Sequence, residues 1–126
     1  MRPTDEALVS AARQAKEKAY APYSHFSVGA AVDGDDGKVY TGCNVENGSY
    51  GLTSCAERNA VFAAVAAGCR KIHRVAVVAD EDYTLPCGAC RQVLAEFSAE
   101  RIILTAKDGR YRVVKATELF PQPFSL

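Results

Sequence analysis

The chain has 126 residues, 15 basic and 15 acidic side chains and a pI near 6.7, and this length predicts one compact domain over residues 1–126. The balanced charge argues against nucleic acid or an anionic membrane as a partner, because phosphate binding needs a local basic excess. No apolar run reaches the ~18 residues of a membrane span, so we expect a cytoplasmic protein whose ligand is a small molecule.

The first half of the chain is predicted to contain a helix, a hairpin and a second helix. Residues 3–20 have the pattern of an amphipathic helix, with Thr4 as its N-cap. Strands are expected at residues 26–32 and 38–43, joined by a turn rich in Asp and Gly. A second helix at residues 54–67 is apolar nearly all round, which suggests burial against the sheet and against a neighbouring subunit.

The second half continues as strand, helix, strand, strand. Residues 74–79 form a continuous apolar run, typical of a central strand that is covered on both faces. A third helix is predicted at residues 87–98, followed by strands at 101–105 and 111–114. Together these elements predict an α/β fold, a three-layer αβα sandwich with a five-stranded mixed sheet and helices on both faces.

The C-terminal tail is apolar and constrained by prolines. Residues 119–124 read L-F-P-Q-P-F and leave no room for a helix. Large apolar side chains are rarely left in solvent together, so we expect the tail to dock on another surface.

Two short cysteine motifs stand at the starts of the second and third predicted helices. The first reads C-A-E and the second reads P-C-G-A-C. Unpaired N–H groups and the positive dipole end at a helix N-terminus favour thiolate over thiol. Cys55, Cys87 and Cys90 can therefore hold one Zn²⁺ through three sulfurs and leave its fourth tetrahedral position to water. Glu57 is then the carboxylate that moves protons, which is the pattern of zinc deaminases as a class.

Three thiolates give such a site a net charge of −1, which weakens zinc as a Lewis acid. The two helix dipoles offset part of this charge. Arg58 lies three residues after Cys55 and is the expected cation beside its sulfur, with Arg91 as a weaker candidate.

The remaining cysteines and the histidines are predicted to be structural. Five cysteines, an odd number, disfavour a disulfide framework. Cys43 and Cys69 are expected to be buried core thiols. His25 and His73 are not expected to bind metal, because three sulfurs already suffice.

Two other interpretations of these motifs are open. Ser54 and Glu57 have the spacing of a capping box, in which the glutamate only returns to the Ser54 amide. Residues two apart on a helix diverge by about 200°, so Cys55 must lie off the regular helix if it shares a zinc site with Glu57. Cys87 and Cys90 also have the spacing of a thioredoxin-type redox pair, which would leave Cys55 and Glu57 without a role.

The two motifs, with N-V-E-N at residues 44–47 and the stretch at 23–31, closely resemble the small homotetrameric cytidine deaminases over residues 20–124. The resemblance implies one Zn²⁺ per subunit, held by the three cysteines, with Glu57 as proton shuttle. It implies hydrolytic deamination of cytidine and 2′-deoxycytidine, by zinc-activated water, within pyrimidine salvage. The ligand is then a pyrimidine nucleoside, with neither nucleic acid nor membrane as a partner.

The resemblance also assigns residues to the substrate. Asn44 and Glu46 would hold the ribose hydroxyls, and Phe26 would pack on the pyrimidine. The roles of three further residues are implied in the same way: the Ala56 amide at the ring carbonyl, Tyr50 near the sugar, and Phe124 closing a neighbour's pocket. Independently, a carboxylate such as Glu46 suits vicinal hydroxyls and repels phosphate, which favours nucleosides over nucleotides.

Two alternative functions keep the zinc motif. One is a deaminase of another cytosine nucleoside, such as the blasticidin-type enzymes, which share C-A-E and P-C-x-x-C; the full N-V-E-N followed by Tyr50 favours the plain nucleoside. The other is a zinc-stabilised binding module without activity, an interpretation that the presence of Glu57 disfavours.

Overall fold

A mixed β-sheet forms the centre of the structure, a computed structural model that describes residues 2–126 and leaves Met1 outside the described residues. The strands of the described chain are β1 (Val28–Gly34), β2 (Val39–Cys43), β3 (Ile72–Ala79), β4 (Arg101–Thr105) and β5 (Tyr111–Lys115). Their order in the sheet is β2-β1-β3-β4-β5. β3 and β4 are parallel, and the other neighbouring strands are antiparallel.

Helices cover both faces of the sheet, as the sequence predicted. Helix α1 (Asp5–Lys16) buries Leu8 and Ala12 against one face. Helices α2 (Ala56–Ala66) and α3 (Gly88–Glu96) bury their apolar residues against the other face. The predicted three-layer αβα sandwich is therefore confirmed, with β3 as its central strand.

The helix boundaries differ from the prediction at several places. Thr4 does cap α1, since its Oγ1 accepts from the Ala7 amide at 3.1 Å, but the helix ends at Lys16. It stops short because the Tyr20 amide donates to the Asn44 carbonyl at 3.0 Å, a contact with a distant segment. A short helix α4 (Ala116–Leu119) and a 3₁₀ turn (Tyr50–Leu52) were not predicted from the sequence.

Two glycines let helices lie directly on the sheet. A Cβ at Gly42 of β2 would stand 2.6 Å from the Ala56 carbonyl oxygen and 2.5 Å from the Ala60 nitrogen. A Cβ at Gly29 of β1 would likewise collide with the backbone of α1. The first turn of α2 is therefore pressed against β2 at the position where the C-A-E motif begins.

Among residues 2–126 no helix combines the length and the apolar character that crossing a membrane requires.

Candidate metal centre and active site

Cys55 lies at the very start of α2, in an extended conformation with φ −74° and ψ 153°. It is the N-cap residue, so its side chain does not have to project in the direction that the regular helix would impose. This geometry is the condition that the sequence set for Cys55 and Glu57 to serve one site. The antiparallel bridge between Val45 and Ser54, with both N–O distances at 2.9 Å, holds the chain in this extended path.

The capping-box interpretation of Glu57 is wrong. The Ser54 amide donates to the Val45 carbonyl, so it has no need of a glutamate partner. The Ser54 hydroxyl instead donates to Asn59 Oδ1 at 2.7 Å. Because the helix starts at Ala56, two residues later than predicted, Glu57 is free of any capping role.

The three predicted zinc ligands come together at the N-termini of α2 and α3. Cys87 caps α3, and its sulfur lies 3.4 Å from the sulfur of Cys90 and 3.8 Å from that of Cys55. All three sulfurs lie within 4.8 Å of one another. Sulfurs bound about 2.3 Å from a tetrahedral zinc lie about 3.8 Å apart, so this cluster fits Zn²⁺.

The cluster is a set of free thiols without histidine. The five cysteines are unpaired, and the sulfur separations far exceed the roughly 2.05 Å of a disulfide. In the described part of the chain, no other group of three His, Cys, Asp or Glu side chains lies close enough to hold a metal. His73 contacts Glu100 at 3.0 Å, away from the sulfurs.

Arg58 supplies positive charge at the cluster. Its guanidinium donates to the Cys55 sulfur at 3.3 Å. A hydrogen bond from Cys90 and the contact with Arg58 lower the pKa of Cys55 to about 5, whereas the bond with Cys55 and burial raise the pKa of Cys90. Arg91 points elsewhere, because it donates to the carbonyls of Pro86 and Leu119.

Glu57 is buried beside the sulfurs, with only 5% of its surface exposed. Burial raises the pKa of its carboxyl to about 7, and the nearby Cys55 adds to this shift while Arg58 opposes it. A carboxyl with this pKa can both take and return a proton near neutral pH.

A cavity of about 260 Å³ opens over the cluster. It brings together most of the residues that the resemblance assigned to metal or substrate, namely Phe26, Asn44, Glu46, Cys55, Ala56, Glu57 and Cys87. Cys90 lies fully buried behind them. The apolar wall of the cavity includes Val28 and Leu85, and Thr84 lines the cavity beside Leu85. The sequence analysis did not predict any of these three residues. The position of Thr84 and Leu85 just before P-C-G-A-C was the available signal.

Asn44 and Glu46 are both held by hydrogen bonds to neighbouring backbone. The Asn44 side chain donates to the Phe26 carbonyl at 2.8 Å and accepts from the Val28 amide at 2.9 Å. Glu46 accepts from the amides of Tyr23 and Ser24 at 2.9 and 3.1 Å and from the Ser24 hydroxyl. These bonds, led by that of the Ser24 hydroxyl, lower the pKa of Glu46 and keep it ionised.

Tyr50 and Phe124 stand apart from this cavity. Tyr50 is 76% exposed and lines an adjoining cleft of about 270 Å³, where its ring meets Tyr23 edge-on at 6.0 Å. Phe124 is 71% exposed. Its amide and carbonyl pair with the Gln92 side chain at 3.1 and 3.0 Å, so the tail docks on α3 through its backbone while the Phe124 ring stays uncovered.

Cys43 departs from its predicted place in the core. It is only partly buried, at the end of edge strand β2, where its sulfur contacts the Lys18 carbonyl at 3.5 Å. An edge strand has a neighbour on one side only, and this leaves the position open. Cys69 is buried, as predicted.

Comparison with known proteins agrees with this geometry. Residues 2–106 match the family described as cytidine and deoxycytidylate deaminase zinc-binding region. The chain is 47% identical over 123 residues to the cytidine deaminase of Sporosarcina psychrophila, covering 95% of this chain and 90% of that protein.

Solved structures point the same way. The crystal structure of cytidine deaminase from Burkholderia pseudomallei superposes with a TM-score of 0.91 at 51% identity, covering 97% of this chain and 100% of that one. The enzyme from Mycobacterium tuberculosis gives 0.85 at 42% identity, with 98% and 100% covered. The chain therefore belongs to the cytidine deaminase family of zinc-dependent hydrolases.

Proposed function

We propose that this chain hydrolyses cytidine and 2′-deoxycytidine to uridine and 2′-deoxyuridine, with release of ammonia. The observation that carries the proposal is the cluster of three cysteine sulfurs beside the buried Glu57, at the floor of an apolar cavity. The relatives named cytidine deaminases support it. The free thiols suit a reducing compartment, so we place the enzyme in the cytoplasm. Its proposed substrates place it in pyrimidine salvage.

Cys55, Cys87 and Cys90, as thiolates, would together hold one Zn²⁺ per subunit. Zinc held in this way supplies Lewis acidity to a water molecule in the cavity. Arg58 offsets the negative charge of the site, since its guanidinium donates to the Cys55 sulfur at 3.3 Å. The helix N-termini act in the same direction.

Glu57 moves protons through the whole reaction. Its carboxylate first takes a proton from the water that attacks the amino-bearing carbon of the cytosine ring. It then protonates the adjacent ring nitrogen. Finally it takes the second proton of the water, from the hydroxyl now bonded to the ring carbon, and delivers it to the amino group; the C–N bond breaks, ammonia leaves and the ring carbonyl forms. Its raised pKa of about 7 suits a group that must alternate between base and acid.

The substrate contacts follow from the lining of the cavity. Phe26 and Val28 offer apolar surface to the pyrimidine, and the Ala56 amide faces the ring carbonyl. Asn44 uses one N–H for the Phe26 carbonyl, and its second N–H is available for a ribose hydroxyl. The ionised Glu46 accepts from a hydroxyl and repels the phosphate of a nucleotide.

Ammonia release from cytidine tests the proposal directly. We expect the zinc-loaded enzyme to turn over cytidine and 2′-deoxycytidine at about 1–10³ s⁻¹, the usual range of enzymes. Blasticidin S and cytidine 5′-monophosphate serve as comparison substrates and should react far more slowly. Treatment with a chelator should abolish activity, and added Zn²⁺ should restore it. Stoichiometric zinc without ammonia release from any cytosine nucleoside would favour a binding module instead.

We further propose a homotetramer in which Tyr50 and Phe124 act at sites of neighbouring copies. Both rings are largely exposed in the single chain, as is half of Phe62 on α2. Phe124→Ala is expected to raise KM for cytidine about tenfold, a typical loss for an aromatic contact at an interface. Leu126→Ala, which also truncates an exposed tail residue, is the matched control.

Mixed oligomers locate the site that Phe124 serves. Glu57→Gln chains retain Phe124, and Phe124→Ala chains retain Glu57. If Phe124 reaches a neighbour, oligomers assembled from both variants should regain a normal KM at the Glu57-containing sites. A KM that stays high in the mixture, or a monomer in light scattering, would contradict the proposal.

A further inference from the structure

Asp80 joins three parts of the fold near the cavity without lining it. It directly follows β3, at the start of the loop that leads to Cys87. Its Oδ2 accepts from the Ser27 amide at 2.8 Å, and its Oδ1 pairs with Lys16 Nζ at 2.6 Å, at the end of α1. The carboxylate therefore links α1, the entry to β1 and the loop before the metal ligands.

The segment that Asp80 holds is the one that carries Phe26. Three successive amides there are bound by side chains: the Phe26 amide by Ser24 Oγ at 3.0 Å, the Ser27 amide by Asp80, and the Val28 amide by Asn44 Oδ1 at 2.9 Å. Side-chain oxygens thus accept the backbone hydrogen bonds that carbonyl groups of a neighbouring strand accept elsewhere in the sheet.

Of these three acceptors, Asp80 is the farthest in sequence from the amide that it binds. Ser24 lies in the same loop as Phe26, and Asn44 follows β2. Asp80 belongs to the loop that continues to Thr84, Leu85 and Cys87, which line the opposite part of the cavity. Its bond to Ser27 therefore joins the segment that carries Phe26 to the loop that leads to Cys87.

We infer that Asp80 is a positioning residue for the substrate, acting through the Ser27 amide to hold Phe26 against the pyrimidine. This inference rests on the proposed function. Lys16 and then the Ser27 amide lower the pKa of Asp80, which keeps its carboxylate ionised and a strong acceptor. A merely structural anchor of α1 would stabilise the fold without affecting substrate affinity.

The test compares zinc-loaded variants in cytidine deamination. Asp80→Ala is expected to raise KM about tenfold while kcat falls less than about threefold, because a misplaced Phe26 weakens binding of substrate and transition state alike. Asp80→Asn keeps an oxygen for the Ser27 amide, so its KM should stay within about threefold of wild type.

Asp36 provides the matched control. It too accepts from a backbone amide, that of Lys38 at 2.9 Å, and from a side-chain donor, Tyr40 at 2.5 Å, but it lies outside the cavity. Asp36→Ala should leave KM unchanged. The inference is overturned if Asp80→Ala keeps a wild-type KM, if Asp36→Ala raises KM equally, or if Asp80→Asn is as poor as Asp80→Ala.

Two additions keep the test decisive. If Asp80→Ala does not fold, Asp80→Glu replaces it, because it keeps the charge but displaces the acceptor by one methylene; KM should again rise. The chain contains no tryptophan, so Phe26→Trp places a single tryptophan, excited selectively over the tyrosines, on the segment in question. In that background Asp80→Ala should lower tryptophan anisotropy relative to Asp36→Ala, and equal anisotropy overturns the inference. This measurement does not depend on turnover, so it separates the inference from the proposed function.

Discussion

Replacing Glu57 with glutamine is expected to lower kcat for cytidine by roughly 10³-fold or more, because no other carboxyl in the cavity is placed to move the proton. The bound zinc should stay near one ion per chain, since the substitution removes no sulfur ligand. Steady-state ammonia release and metal analysis of the same preparation measure the two quantities. Loss of turnover with retained metal would assign the proton shuttle to Glu57.

Stability provides the internal control for this variant. Burial raises the pKa of Glu57 from 4.5 to about 7. In the metal-free protein the ionised carboxylate therefore destabilises the folded state at pH values above the pKa of the unfolded chain. Glutamine removes that destabilisation, and the metal-free variant should be at least as stable as wild type at pH 8. Glu118→Gln, an exposed change of the same kind, should alter neither activity nor stability. A Glu57→Gln enzyme within tenfold of wild type would exclude this mechanism.

The clustering of the three cysteine sulfurs was predictable because its signal is local. A cysteine before a helix, a glutamate two residues later and P-C-x-x-C at the next helix start define the site by residue type and spacing. The angular argument also held, since Cys55 had to leave the helix face to share a site with Glu57 and does so as N-cap. The central place of β3 in the sheet follows similarly from its continuous apolar run.

What escaped prediction depends on contacts between distant segments. The bridges that tie Tyr20 to Val45 and Val45 to Ser54 end α1 early and delay the start of α2, and no local pattern announces them. The same applies to the bonds that commit Asn44 to the backbone around Phe26. Asp80 belongs to no motif, because its importance arises only where the tertiary fold brings its carboxylate to a free amide.

Removal of one sulfur should have the second large effect. Cys87→Ala leaves two thiolates, too few to retain zinc at micromolar concentrations, so we expect less than about a tenth of the wild-type metal content and no measurable ammonia release. Stability should fall as well, because zinc binds the folded chain preferentially. At free zinc about a thousandfold above Kd this linkage contributes about 4 kcal/mol, or a Tm lower by roughly 15 °C.

Cys43→Ala separates loss of a ligand from loss of a thiol. Cys43 is also free and partly exposed, but it lies on β2, outside the sulfur cluster. This variant should keep its zinc, its activity and a Tm within a few degrees of wild type. A chelator should bring wild type and Cys43→Ala down to the Tm of Cys87→Ala and leave Cys87→Ala unchanged, since that variant has no metal to lose. If Cys87→Ala instead kept stoichiometric zinc and its Tm still fell on chelation, Cys87 would not be a ligand, and the three-sulfur site would be wrong.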